Sequence, residues 1–223
     1  MLRSCESLRA DGFTVTRVPV DPHGRVDPDV LRAAVQERET ALVSIAYGNS
    51  ETGTLQPIAE LAAVAHESGA LFHTDAAQAA GKVPLDVSAL DVSALGRAAE
   101  LARLELPGSA VRLAALRDLL HAELEARLPG RVHLNGHPAE RLPGTLNVSI
   151  DGVGGRALLA AVPGIAAATG SACHEGVDVP SPVLLAMGLP AGRASEAVRL
   201  SLGRWSTERE VRQAARLIAE AAA

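Results

Sequence analysis

Lysine is almost absent from this chain: Lys82 stands alone beside 20 arginines among 223 residues. Any reaction that runs through a side-chain amine therefore has a single candidate. Aromatic residues make up only 2% of the sequence, so the core must be assembled from Ala, Leu and Val through many small contacts. Cysteine occurs twice, as Cys5 and Cys173. That number and spacing exclude a secreted disulfide framework or a CxxC metal site and point to a reducing cytoplasm. Long apolar runs are missing too. The longest uncharged stretch, Ala157 to Cys173, is broken by Pro163, Gly164 and Gly170, short of the ~20 apolar residues a membrane span needs. The opening residues carry no signal-peptide pattern. With a net charge of −5 and no Lys/Arg block, neither nucleic acid nor a membrane is the expected partner, and small molecules or proteins are.

What remains suits a globular protein: 48% of residues are apolar, enough for one large or two modest domains. The first part alternates strand and helix. Phe13 to Val20 reads as a β-run, and Asp27-Pro28 opens a helix to about Glu37, with Asp as N-cap and Pro in the first turn. Ala41 to Tyr47 is a second β-run, Pro57 to Glu67 has helical spacing with Gly69 as its stop, and Leu71 to Asp75 is a short strand. This order predicts a parallel sheet with right-handed crossovers, whose ligands meet loops at the carboxyl ends of strands. Asn49 and Asp75 both fall there.

Beyond Lys82 the pattern changes. Asp86-Val87-Ser88-Ala89-Leu90 is repeated at once as Asp91-Val92-Ser93-Ala94-Leu95. Gly96 to Leu128 is mostly helical, with a break expected near Pro107-Gly108. A strand at Thr145 to Ile150, a helix at Gly155 to Ala161, a strand near Ile165, a helix at Pro182 to Met187, a strand at Ala197 to Leu202 and a closing helix from Thr207 then predict a smaller α+β unit. The boundary falls near residues 86 to 96.

Three runs carry candidate chemistry. Within His73-Thr74-Asp75-Ala76-Ala77-Gln78, Asp75 could pair with a protonated heterocyclic nitrogen and Gln78 with a neighbouring oxygen, or the two could be a helix N-cap and a solvated amide. Asn49-Ser50-Glu51-Thr52-Gly53 has turn composition with room for a ligand contact. In Thr169-Gly170-Ser171-Ala172-Cys173-His174 a thiol sits in a small-residue loop, where His174 could tune it, although a lone cysteine also serves as a small hydrophobe.

In order, these runs resemble the cysteine desulfurases, the class V branch of fold-type I pyridoxal-phosphate enzymes. The stretch "ALVSIAYGNSETGTLQPIAELAAVAHESGALFHTDAAQAAGK" is similar to the central part of that family, "LNGHPAERLPGTLNVSI" to a later part, and "TGSACHEGVDVPSPVLLAMGL" with "AVRLSLGRWSTEREV" to its cysteine loop and C-terminal domain. The resemblance implies an α/β fold: a partial fold-type I sheet of parallel βαβ units over residues 1–90, then a smaller α+β C-terminal domain over 91–223 carrying the cysteine loop.

It also implies roles. Asp75 would pair with the pyridine nitrogen of pyridoxal phosphate and Gln78 with the ring hydroxyl oxygen, while Asn49 would contact that region and the substrate. Arg199 would hold the carboxylate of L-cysteine by a bidentate pair, unless it is simply a strand-edge ion-pair residue. Cys173 would accept the sulfur as a persulfide as alanine leaves. A homodimer and a sulfur acceptor or scaffold protein, as in iron–sulfur cluster assembly, are the implied partners.

The departures from the family pattern are as informative. The serine–histidine–lysine segment that supplies the cofactor's lysine and part of its phosphate site is replaced by the doubled DVSAL. The amino-terminal phosphate-binding loop and ring-stacking histidine precede the point where this chain starts, and Ser50 stands where the family usually has a second Asn. Lys82 lies in the Gly-Lys turn, outside the position of the cofactor's lysine. The expectation is therefore a desulfurase-family chain that is inactive alone; the alternatives are a non-enzymatic sulfur-accepting or dimerising module, or a deletion product without selected activity. Both missing segments would also supply strands, so exposed sheet edges are expected.

Overall fold

The computed structural model describes residue 9 and residues 12–37, 39–85, 96–170 and 180–223, with the side chains of 96–105 left aside. Helix α1 (Pro28–Gln36) starts where Asp27 accepts the Asp29 N–H and Pro28 occupies the first turn, as the sequence predicts. Strand β1 (Leu42–Ala46) and strand β2 (Leu71–Asp75) pair in parallel, Leu42 opposite Leu71 and Ala46 opposite Asp75. Helix α2 (Ile58–Glu67) makes the crossover. It buries Leu61, Val64 and Ala65 with Val26, Leu31, Val35, Val43 and Ala70. Apolar side chains at the start of both strands stay open, Leu42 at 53% and Leu71 at 72% exposure. Phe13 to Val20, predicted as a strand, has no regular secondary structure.

The second part is organised by an antiparallel sheet in the order β3 (Val132–Leu134), β4 (Thr145–Ile150), β5 (Ala197–Ser201). Strand β4 is buried along its whole length. Its apolar residues Leu146, Val148 and Ile150 meet Leu116, Leu120 and Leu124 of α3 (Gly96–Arg127) and Val211, Ala215 and Ile218 of α7 (Glu208–Ala222) in one core. Helix α7 starts in a capping box, Thr207 and Glu210 each accepting from the other's backbone N–H. Helix α3 runs through Pro107 without the expected break. Proline removes one helical hydrogen bond, and the packing of Leu116, Leu120 and Leu124 beyond it holds the remaining turns. Short helices α4 (Gly155–Ala161), α5 (Pro182–Ala186) and α6 (Ala191–Ser195) complete this part. The strand expected near Ile165 reduces to one bridge between Ala168 and Arg199.

The two sheets are joined through the turn at 49–54. Leu142 N–H donates to Gly53 O at 2.8 Å and Leu55 N–H to Glu140 O at 2.9 Å. The buried Arg141 donates to Thr52 O at 3.0 Å and to Thr145 O at 3.1 Å. Burial, then the neighbouring Arg117 charge, lowers the Arg141 pKa to about 10, so the seam retains its cation at neutral pH. Gly136 has φ +94°, and a Cβ there would lie 2.8 Å from Thr52 Cβ, so the approach of the two parts requires glycine. Among the described residues no helix is long and apolar enough to cross a membrane, and no side-chain cluster could hold a metal ion.

Candidate functional site

The parallel pair delivers its loops to one end, as expected from its topology. After β1, Asn49 folds the turn: its Oδ1 accepts the N–H groups of Glu51 at 2.8 Å and Thr52 at 3.0 Å, and its own N–H reaches Thr54 O at 2.9 Å. The Asn49 side-chain oxygen is thus engaged in local structure, which leaves Nδ2 as its donor toward a ligand. At the end of β2, the exposed Asp75 accepts the Ala77 N–H at 2.9 Å through Oδ1, while its main-chain carbonyl accepts the Tyr47 N–H at 2.9 Å. Gln78, one turn on and exposed, accepts Lys82 Nζ–H at 3.2 Å through Oε1.

Arg199 reaches this turn from the other part of the molecule. It lies at the middle of β5 opposite Asn147, and its backbone exchanges hydrogen bonds with Ala168 at 2.6 and 3.2 Å. One terminal guanidinium nitrogen donates to Ser50 O at 3.3 Å, while Nε is buried without a partner. The half-buried Lys82 lies in its field: burial first, and then the Arg199 charge, hold the Lys82 amine below the usual lysine pKa of 10.5. The fold therefore gathers Asn49, Gln78 and Arg199, three of the residues singled out in the sequence, and adds Lys82. The sequence placed Lys82 apart from the site. Its spacing of four from Gln78 was the available signal, since a helical turn puts such residues side by side.

Cys173 lies outside the described residues, as do Cys5 and the doubled DVSAL. The chain on either side of the cysteine loop is in place. Glu51, a residue 2% exposed, lies beside both flanks. A Cβ on Gly170 would be 3.7 Å from Glu51 Oε2, and the same oxygen accepts the Ser181 hydroxyl proton. Glu51 was missed in the sequence, because turn composition gives no sign that an acid is buried.

The turn after β1, the carboxylate at the end of β2 and the arginine of β5 belong to a chain that matches known proteins along nearly its whole length. Residues 2–96 match the family model Aminotransferase class-V. The cysteine desulfurase IscS of Anaeromyxobacter sp. (strain K) is 37% identical over 272 residues, covering 99% of this chain and 67% of that protein. The chain belongs to the cysteine desulfurase family. The cysteine desulfurase NifS of Azotobacter vinelandii is 34% identical over 263 residues, covering 95% of this chain and 65% of that protein. A solved structure described as a NifS-like protein superposes with a TM-score of 0.82 at 27% identity, over 98% of this chain and 71% of that one. The mixed α/β fold is that of the fold-type I pyridoxal-phosphate enzymes. A relative aligned over 272 of its residues against 223 here carries roughly fifty residues with no counterpart in this chain.

Cysteine desulfurases depend on pyridoxal phosphate and act on L-cysteine. The described residues of this chain do not fit that cofactor as a covalently anchored group. The only side-chain amine in the sequence, Lys82, is hydrogen-bonded to Gln78, the side chain that the resemblance gives to the ring oxygen, and it feels the charge of Arg199, the residue that the resemblance gives to the substrate carboxylate.

Proposed function

We propose that this desulfurase-family chain does not release alanine from cysteine by itself and acts as a sulfur acceptor through Cys173. The observation that carries the first half is the position of Lys82, the sole lysine, tied to Gln78 and set against Arg199. In this reading Asp75, Gln78 and Asn49 are the remnant of the cofactor's ring edge, residues 1–90 a partial cofactor domain and 91–223 the small domain. Arg199 keeps its preference for a carboxylate, since its planar fork matches one.

The second half is supported by the hydrogen bond that ties Ser181, on the C-terminal side of the cysteine loop, to the buried Glu51. Sulfur transfer balances without an oxidant. The Cys173 thiolate attacks the terminal sulfur of a donor persulfide, the donor's S–S bond breaks, the donor leaves as a thiolate, and the new S–S bond is on Cys173 with the proton kept by the terminal sulfur. An active desulfurase charged with L-cysteine is such a donor. With cysteine used so sparsely, a reducing compartment such as the cytoplasm suits a free thiol. A homodimer, or an acceptor protein on the iron–sulfur route, would complete the partners.

The test is to mix the purified chain with an active family member and L-cysteine and to follow the intact mass of this chain. A gain of one sulfur atom, absent from the Cys173→Ala variant, is expected. An unchanged mass under conditions where the donor itself carries persulfide would overturn the acceptor role.

A further inference from the structure

Strand β2 has one side bare. Leu71 N–H donates to Ala41 O at 3.0 Å and Tyr47 N–H to Asp75 O at 2.9 Å. The main-chain groups of Leu71, His73 and Asp75 therefore face β1, and by the alternation of a strand those of Phe72 and Thr74 face away from it. Among the described residues the sheet ends there, and no main-chain group hydrogen-bonds to Phe72 or Thr74 on that side. Parallel strands occur almost only in larger, covered sheets, and two strands alone are marginal. Two bare donors and two bare acceptors in a row form a template for another strand. The side chains along it divide by face. Phe72 packs with the core under α2, whereas Leu71 is 72% exposed, with His73 and Asp75 exposed beside it.

This row is complementary to itself. Turned about a two-fold axis through His73, an identical strand runs antiparallel and sets Phe72 opposite Thr74 and Thr74 opposite Phe72, each pair exchanging both of its hydrogen bonds. That register satisfies all four bare groups of each copy. On the covered face it puts an aromatic against a β-branched side chain, a favourable cross-strand pair. On the open face, Ser44 Oγ lies 2.9 Å from His73 Nδ1 and fixes the ring, and the register sets each His73 diagonally beside Asp75 of the second copy. Any extended segment would satisfy the hydrogen bonds; the match of side chains as well is specific to a second copy. We propose that two copies of this chain join edge to edge through β2, forming a four-stranded sheet in the order β1-β2-β2-β1. The inference gives a surface to the homodimer named above and rests on that part of the reading alone. Cys173 takes no part in it, so sulfur acceptance and this contact fail separately.

Sedimentation equilibrium of the full chain should show a reversible exchange between monomer and dimer. Thr74→Pro removes an N–H that points away from β1 and leaves the β1–β2 ladder whole. It should weaken the dimer by about tenfold or more. Should proline unfold the chain, charge at the axis decides. His73→Glu and His73→Lys, each verified as folded by its thermal transition, should each weaken the dimer by about tenfold, because like charges then lie directly opposite. An equimolar mixture of the two should dimerise at least as tightly as the wild-type chain. A wild-type chain that stays monomeric, association that runs on past the dimer, a folded Thr74→Pro chain that dimerises as before, or a mixture no tighter than either variant alone would each overturn the contact.

Discussion

Glu51 and Ser181 are separated by 130 positions in the chain, and the buried Glu51 carboxylate accepts the Ser181 hydroxyl proton. Each partner also holds its own surroundings. The Glu51 main-chain carbonyl accepts Asn147 Nδ2–H at 3.1 Å, and Ser181 Oγ accepts the Leu184 N–H at 3.2 Å as N-cap of α5. One contact thus ties the turn after β1, the central strand β4 and the chain following the cysteine loop.

Breaking that contact should loosen the molecule as a unit. Glu51→Ala removes a buried acceptor and leaves the Ser181 hydroxyl unsatisfied, at a cost of about 1–3 kcal/mol. Ser181→Ala also loses the cap, typically ~1 kcal/mol. Urea unfolding of the two single variants and the double variant should give a coupling above about 0.5 kcal/mol. Strict additivity would show that the bond contributes nothing.

The Lys82 amine should titrate below the usual 10.5, because burial and then the Arg199 charge disfavour its protonated form. The folded state then binds fewer protons than the unfolded chain between the lowered value and 10.5, so stability should rise as pH increases through that window. Lys82→Met should remove this rise. In Arg199→Gln the lysine midpoint, followed by its single NMR resonance, should move up only part of the way, since burial is the larger cause. A midpoint at or above 10.5 in the wild-type chain would contradict the geometry.

Acid should weaken the seam at His137. Its Nδ1 accepts the N–H groups of Ala139 at 3.2 Å and Glu140 at 2.7 Å, which requires that nitrogen to be unprotonated, and its ring meets His23 edge-on at 5.4 Å. Burial, with the Arg25 and His23 charges, lowers its pKa below 6.5 against the opposing pull of Glu140 and Asp21. The unfolded chain therefore takes up the proton first, and stability should fall as pH drops from 6.5 to the folded-state value and level off below it. Thermal melts across that range should show the slope, and His137→Gln should flatten it.

The fold was legible in the sequence wherever local pattern and tertiary fate agree. Strands Leu71–Asp75 and Thr145–Ile150 and helix Gly155–Ala161 stand where their apolar runs and flanking turn residues put them. Phe13 to Val20 has the composition of a strand, but no β-partner for it appears among the described residues, and propensity alone does not make a ladder. Val132–Leu134 is too short to leave a period, and its strand exists because Asn135, His133 and their neighbours register against β4. At the site, family likeness singled out Asp75, Gln78, Asn49 and Arg199, and the fold brings the last three of these near one another. The Lys82–Arg199 relationship and the burial of Glu51 are products of the tertiary fold, between residues more than a hundred positions apart, and no local pattern carries them.

Alanine release from L-cysteine is the most direct measure of whether this chain has kept its family's reaction. The purified chain, supplied with pyridoxal phosphate and L-cysteine beside an active desulfurase as control, is expected to release no more alanine than the cofactor alone. Sustained release that is abolished by Cys173→Ala would contradict the account.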